Sequence, residues 1–318
     1  MKPPFAISLG WLLAVFAALG CTSVNGARPP SPGALETIER RLTFHPVKLP
    51  ETWPVNSSVD SVWFLVDGGV SRRSWLSATP VPIQLKLHGI LAEPKSQSEE
   101  KTSPRAVVLY CHGTAGCVDF VAERMRRTAD KFNVVMMTFD YRGYGRSEGE
   151  PEVSGILADA RSARRWLAQR TGVREGDVVL MGTSLGGGVA TALAGTDGCR
   201  GLILEDTFTS LGDVADEHAI PGTKPSELMK ARLASVQTIK NYHGPLLQRH
   251  GDDDPLIPFE QGQRLFAAAP GPKKFITSPG AGHNDPPTPE FEEAMEEFFH
   301  FLPPVAASST KSSASSGR

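Results

Sequence analysis

From Val107 onward the sequence sets short apolar runs against longer segments of helical period. The runs are Val107–Cys111, Val134–Phe139, Val178–Met181, Leu202–Leu204, Leu246–Gln248 and Phe275–Ile276. Most are continuously apolar rather than alternating, as strands must be when helices cover both faces of a sheet. The pattern predicts an α/β protein with a mostly parallel central sheet, in which these runs are the central strands. Between them Ile156, Ala160, Ala163 and Leu167 put one apolar stripe on a helix that starts near Glu152. A last helix repeats the logic: Phe291, Met295, Phe298 and Leu302 line one face, Glu292, Glu293, Glu296 and Glu297 the other, and Pro303-Pro304 stops it. Upstream, Ser61–Val66 and Ile83–Leu91 read as antiparallel leading strands joined by a long connection.

One domain over residues 36–304 accommodates all of this, with a polar surface loop from Ser96 to Pro104 and an insertion at about 210–243 short enough to be a small cap. The ends are different. Lys2 precedes an apolar run from Phe5 to Leu19, followed by Gly20-Cys21, which predicts a secretory signal over residues 1–21. Fifteen helical residues fall short of a hydrocarbon core of about 30 Å, so a spanning helix ranks second. Leu19-Gly20-Cys21 resembles a bacterial lipobox, with Ala18 where Leu is usual, and makes Cys21 a candidate lipidation site. Residues 22–35, with Pro29, Pro30 and Pro32, suit a flexible tether, and the Ser-rich residues 305–318 a disordered tail. The expected location is therefore outside the cytoplasm: a membrane-anchored lipoprotein, or a periplasmic or extracellular protein.

With 33 Lys plus Arg against 35 Asp plus Glu, the chain has no basic excess, and nucleic acid is not an expected partner. If Cys21 is consumed, Cys111, Cys117 and Cys199 remain, an odd number that leaves at least one thiol free. No Cys/His spacing matches a structural zinc site, and neither metal nor organic cofactor is expected.

The chemistry concentrates at Gly182-Thr183-Ser184-Leu185-Gly186, directly after one apolar run and directly before a helix of small residues. This is G-x-S-x-G in its strand-turn-helix setting. A serine on so sharp a turn has strained backbone angles, and positions two residues to either side must lack side chains for the turn to close. The following helix aims free N–H groups and its positive end at any oxyanion formed there. A second donor is expected from His112-Gly113-Thr114-Ala115-Gly116, at the end of another buried run. The backbone N–H groups of Thr114 and Leu185 are the candidate oxyanion hole. His112 is read as a loop brace. Cys117, without a turn signature, is a weak rival nucleophile.

Downstream, His250-Gly251-Asp252-Asp253-Asp254 and Gly282-His283 follow two further runs, so a serine, an acid and a histidine succeed one another along the chain. In such a set Ser184 attacks a carbonyl, His283 takes and returns its proton, and Asp254 holds the imidazole in one tautomer. Asp252 and Asp253 compete for the acid role, and Glu205 and Asp206 offer alternatives at the end of the preceding strand.

These motifs, with Asp140-Tyr141-Arg142-Gly143-Tyr144-Gly145-Arg146-Ser147-Glu148-Gly149, resemble those of Bem46-like α/β-hydrolases, relatives of depalmitoylating and lysophospholipid-cleaving α/β-hydrolase domain proteins. The resemblance spans roughly Val59 to Leu302. It implies an α/β-hydrolase fold and places the acid of an H-G-x-x-D pattern on Asp254. It makes Asp140–Gly149 a turn beneath the site, with Asp140 and Arg142 paired and Tyr141 near the cleft. Thr114 stands where the family usually has Asn. The expected function is hydrolysis of a carboxylic ester or thioester through an acyl-enzyme, on a small acyl ester, an acyl-lipid or an acyl-protein. The alternatives are a serine peptidase or amidase on the same fold, and a noncatalytic hydrolase-like binding lipoprotein.

Overall fold

The computed structural model describes residues 37, 39–41, 43–50, 52–54, 56–70, 82–95, 103–229 and 233–303. The expected signal, Cys21, the tether and the tail lie outside the described residues, as do the connection over residues 71–81 and most of the polar loop. The elements are β1 (Asp60–Val70), β2 (Pro82–Ala92), β3 (Ala106–Cys111), α1 (Val118–Phe132), β4 (Val134–Phe139), α2 (Val153–Thr171), β5 (Val179–Thr183), α3 (Leu185–Asp197) and β6 (Leu202–Glu205). They continue with α4 (Leu211–Glu217), α5 (Ser235–Thr238), β7 (Leu246–Gly251), α6 (Phe259–Ala268), β8 (Lys273–Ser278) and α7 (Pro289–Phe301).

The eight strands form one sheet in the order β1-β2-β4-β3-β5-β6-β7-β8. β1 and β2 are antiparallel, β2 meets β4 antiparallel, and every pair from β4 to β8 is parallel. Alternate residues of each buried strand serve opposite faces, so two apolar layers result. Leu109, Leu180 and Leu204 pack with Ile156, Ala160, Ala163 and Leu167 of α2 and Val189 and Leu193 of α3. Val108, Met181 and Ile203 pack with Ala122, Met125 and Phe132 of α1 and Phe291, Met295 and Phe299 of α7. Each fully buried Leu, Ile or Phe contributes about 1.5–3 kcal/mol, so the two layers dominate the stability.

Three expectations change. The run at Phe275–Ile276 belongs to β8, an edge strand whose side chains are largely exposed or half-buried; with one neighbour only, it needs no second apolar face. On α7 Phe299 is buried along with Phe291, while Phe298 is only half-buried and rests near Gly201. Arg142 pairs with Asp159 of α2 rather than with Asp140, donating through its side chain at 2.7 Å and its backbone N–H at 2.9 Å. Asp140 is turned the other way, toward the N-terminus of α1 and His88.

The chain between β6 and β7 carries α4, a 3-10 turn at Pro225–Glu227, α5 and a second 3-10 turn at Ile239–Asn241. These short pieces fall within residues 210–243.

Candidate active site

Ser184 follows β5 and precedes the first turn of α3, with φ 55° and ψ −123°. A non-glycine residue holds such angles only where its surroundings impose them. The imposition is visible. A Cβ on Gly182 would lie 2.2 Å from the Gly186 carbonyl oxygen, and one on Gly186 would lie 1.9 Å from that of Cys111. The Ser184 N–H donates to the Glu205 carbonyl at 3.0 Å, and its own carbonyl accepts from Thr207 Oγ1 at 2.8 Å and from Gly187 N–H at 2.9 Å. Leu185 is the first residue of α3, so its N–H has no partner within the helix.

Asp254 and His283 are in contact: His283 Nδ1 donates to Asp254 Oδ2 at 2.8 Å. The other carboxylate oxygen accepts the Leu256 and Ile257 N–H groups, each at 2.9 Å. His250 Nε2 lies 3.4 Å from Oδ2 and donates to the Ile257 carbonyl at 2.8 Å. Burial alone would raise the Asp254 carboxyl. Hydrogen bonds from His250, His283 and the Ile257 N–H outweigh it and hold the group well below the usual carboxylate range. Asp252 and Asp253 are exposed, and Asp252 accepts the Gly280 N–H at 2.6 Å. Of the three carboxylates only Asp254 is turned inward. Ser184, Asp254 and His283 follow β5, β7 and β8, at the C-terminal edge of the sheet, where open α/β sheets place their sites.

Glu205 and Asp206 are committed elsewhere. Arg249 donates to Glu205 Oε2 and to Asp206 Oδ2, both at 2.9 Å, Arg124 pairs with the other oxygen of Glu205, and Gly251 N–H donates to Asp206 Oδ1 at 3.0 Å. Arg249 also reaches the Asp285 carbonyl at 3.0 Å, tying the loop that carries His283 to this buried network. Asp285 closes the same loop by accepting the Gly282 N–H at 2.8 Å. Neither Arg249 nor Asp285 stood out in the sequence; the one signal was an arginine two residues after the apolar pair Leu246-Leu247. Asp206, His250 and Asp254 bring ligand-type atoms within 4.8 Å of one another. Their carboxylates are already taken up by Arg249, His283 and backbone N–H groups, so this cluster reads as part of the charge network.

The loop after β3 lies against the elbow: a Cβ on Gly113 would be 3.6 Å from Ser184 Cβ. His112 Nδ1 donates to the Gly113 carbonyl at 2.8 Å, a brace as expected, and Tyr141 donates to the His112 carbonyl at 2.9 Å from beneath. Among the described residues Cys111, Cys117 and Cys199 are all unpaired. Burial pushes the Cys111 and Cys117 thiols up to about 12 and that of Cys199 to about 11, which leaves none poised as a thiolate nucleophile.

Comparison with known proteins agrees with this architecture. Residues 102–224 match the family described as serine aminopeptidase, S33. An uncharacterized protein of Mycobacterium tuberculosis, MT2364, is 35% identical over 199 residues, covering 63% of this chain and 70% of that protein. The lysophosphatidylserine lipase ABHD12 of Danio rerio is 32% identical over 282 residues, covering 81% of this chain and 71% of the lipase. Among solved structures, Est1E from Butyrivibrio proteoclasticus with ferulic acid bound aligns with a TM-score of 0.54 at 21% identity, covering 68% of this chain and 95% of Est1E. That last likeness bears on the fold alone. The chain belongs to the α/β-hydrolase superfamily and is a hydrolase.

Proposed function

We propose that this hydrolase cleaves carboxylic esters or thioesters through an acyl-enzyme on Ser184, with His283 as general base and acid and Asp254 as its orienting partner. The observation that carries the reading is the 2.8 Å contact between His283 Nδ1 and an ionised Asp254, on the same sheet edge as a serine held at φ 55°. Asp254 keeps the proton on Nδ1, so Nε2 is free to accept one. Ser184 Oγ attacks the carbonyl carbon as Nε2 takes its proton. The oxyanion is met by the Thr114 and Leu185 N–H groups, and the C–O or C–S bond breaks as the imidazolium returns the proton to the leaving group. Water repeats the cycle and frees the acid. No step requires a metal or an organic cofactor.

The lipase relative supports an acyl-lipid or other acyl substrate. Export and tethering through Cys21 would hold the enzyme beside a bilayer; palmitate labelling of the wild type but not of Cys21→Ser supports the tether, and equal labelling of both removes it. Among the described residues no helix is long and apolar enough to cross a membrane. The description of the matched family as an aminopeptidase favours amide cleavage as the second reading, and matched ester and amide substrates separate the two.

The primary experiment is fluorophosphonate labelling of the purified full-length chain beside a folded Ser184→Ala variant, with the labelled site mapped. Labelling confined to Ser184 is the expected result. An unlabelled, folded wild type would turn the reading toward a noncatalytic binding protein.

A further inference from the structure

The segment between the expected tether and the first strand, residues 43–49, crosses the catalytic edge of the sheet and is bound there at several points. Thr114 Oγ1 donates to the Thr43 carbonyl at 2.6 Å and accepts the His45 N–H at 3.3 Å. Gly145 N–H donates to the Val47 carbonyl at 2.7 Å, Leu49 N–H donates to the Gly145 carbonyl at 3.1 Å, and Lys48 Nζ reaches the Ser147 carbonyl at 2.8 Å. Phe44 anchors the segment by burying its ring in the core. Thr114 Oγ1 also lies 3.4 Å from the hydroxyl of Tyr144, a buried residue of the turn beneath the site.

A threonine hydroxyl has one proton to donate. Here that proton goes to the Thr43 carbonyl, and a lone pair takes the His45 N–H, so both of the strap's contacts with this loop end on one side chain. The Thr114 backbone N–H belongs to the same residue, one position after Gly113, where an added Cβ would meet Ser184 Cβ at 3.6 Å. An oxyanion donor must be aimed before charge develops, because a donor that reorients during the reaction forfeits much of its effect. The other bonds of this loop, from His112 and Tyr141, act on residues 112 and 113.

We propose that residues 43–49 form a positioning strap that aims the Thr114 N–H into the oxyanion hole through the Thr114 hydroxyl, so that turnover depends on a segment far from the triad in sequence. This rests on the reading of Ser184 as nucleophile and of Thr114 as oxyanion donor. The hydroxyl is a positioning group. It acts through the backbone and does not touch the reacting atoms.

The test uses the full-length chain with p-nitrophenyl butyrate and a trifluoromethyl ketone of matched acyl length, which forms a tetrahedral oxyanion adduct on an activated serine. Thr114→Val removes the hydroxyl, keeps the shape and keeps the backbone N–H. It is expected to lower kcat about tenfold with KM within about twofold, the size of one lost hydrogen bond at the transition state. Its ketone inhibition constant is expected to rise by a similar factor. Thr114→Ser restores both to within about twofold. His45→Pro removes the strap's N–H donor and is expected to lower kcat in wild type but to add little to Thr114→Val.

Unchanged kcat and ketone affinity in Thr114→Val overturn the proposal. So does a fall in kcat without a matching loss of ketone affinity, or a Thr114→Ser variant as impaired as Thr114→Val. If Thr114→Val does not fold, His45→Pro and Thr114→Ser decide by the same two readouts. Ser184→Ala separates the two levels: if it retains turnover, the underlying reading fails, whereas if it is inactive while Thr114→Val is unaffected, only the strap fails.

Discussion

Among the described residues, two regions set a serine, a histidine and an aspartate on neighbouring elements, and they differ in what surrounds the serine. In the first, His283 and Asp254 are joined at 2.8 Å on the sheet edge that also carries Ser184. In the second, Ser61 Oγ lies 2.9 Å from His88 Nε2, and His88 Nδ1 lies 3.1 Å from Asp140 Oδ2. By side-chain chemistry the second set is complete. It differs in everything around the serine. Ser61 sits within β1, in ladder register with Ile90, with neither a helix N-terminus behind it nor a glycine loop beside it. His88 is fully buried under the Trp63 ring, at a centroid distance of 4.8 Å, and Asp140 also accepts the Val118 N–H at 2.9 Å. Its geometry ties β1, β2 and the start of α1 together. Three side chains in a row make a brace there, whereas Ser184 is set apart by a strained turn and by the free N–H groups at the start of α3.

The sharpest way to break this contrast is a pair of alanine variants. Ser184→Ala should lose fluorophosphonate labelling and at least about 10³-fold in ester turnover, while Ser61→Ala should keep turnover within about twofold. Labelling that moved to Ser61 in the Ser184→Ala protein would make the second set a site after all. Asp254→Asn should lower kcat by about 10²–10⁴, because Asn cannot hold the imidazole proton on Nδ1; a kcat near wild type would shift the acid role to another carboxylate.

Stability separates the two regions next. Arg249→Gln leaves Glu205 and Asp206 buried beside a neutral side chain, and urea unfolding should show a loss of about 3–5 kcal/mol. His88→Leu leaves Asp140 and Ser61 each without one partner, and should cost about 1–3 kcal/mol with kcat largely preserved. A His88→Leu protein of full stability but little activity would reverse the assignment of that region.

The smallest effect is in acid. The Asp254 carboxyl sits lower in the folded chain than its unfolded value of about 3.9. Its stabilisation is therefore fully present above that pH and is lost as the pH falls below it. The stability gap between wild type and Asp254→Asn should narrow between pH 5 and about pH 3, followed by urea midpoints. A gap that widened on acidification would contradict a lowered Asp254.

Much of the fold was legible because burial on both faces of a strand is a local property of composition. Val134–Phe139 reads as a strand at the same limits the structure has. The α2 stripe of Ile156, Ala160, Ala163 and Leu167 is wholly buried, as its spacing requires. The elbow was legible for a similar reason: Gly182 and Gly186 are needed by contacts within five residues and against the neighbouring strand end. Phe298 and Phe299 were not separable, since adjacent positions on a helix differ by a rotation that only the packed sheet resolves.

What the residues determined alone, then, were the α/β pattern, the turn that strains Ser184, and the succession of serine, acid and histidine along the chain. Tertiary structure decided every choice between chemically equal partners. It turned Asp254 inward and left Asp252 and Asp253 in water, gave Arg142 to Asp159 and Asp140 to His88, and set Arg249 between Glu205, Asp206 and the loop of His283. It also brought Thr43 and His45 to Thr114 across about 70 residues of sequence. The physical reason is common to all of them: propensity and periodicity act over a few residues, whereas a buried charge or hydroxyl takes whichever partner the order of strands delivers within 3 Å or so.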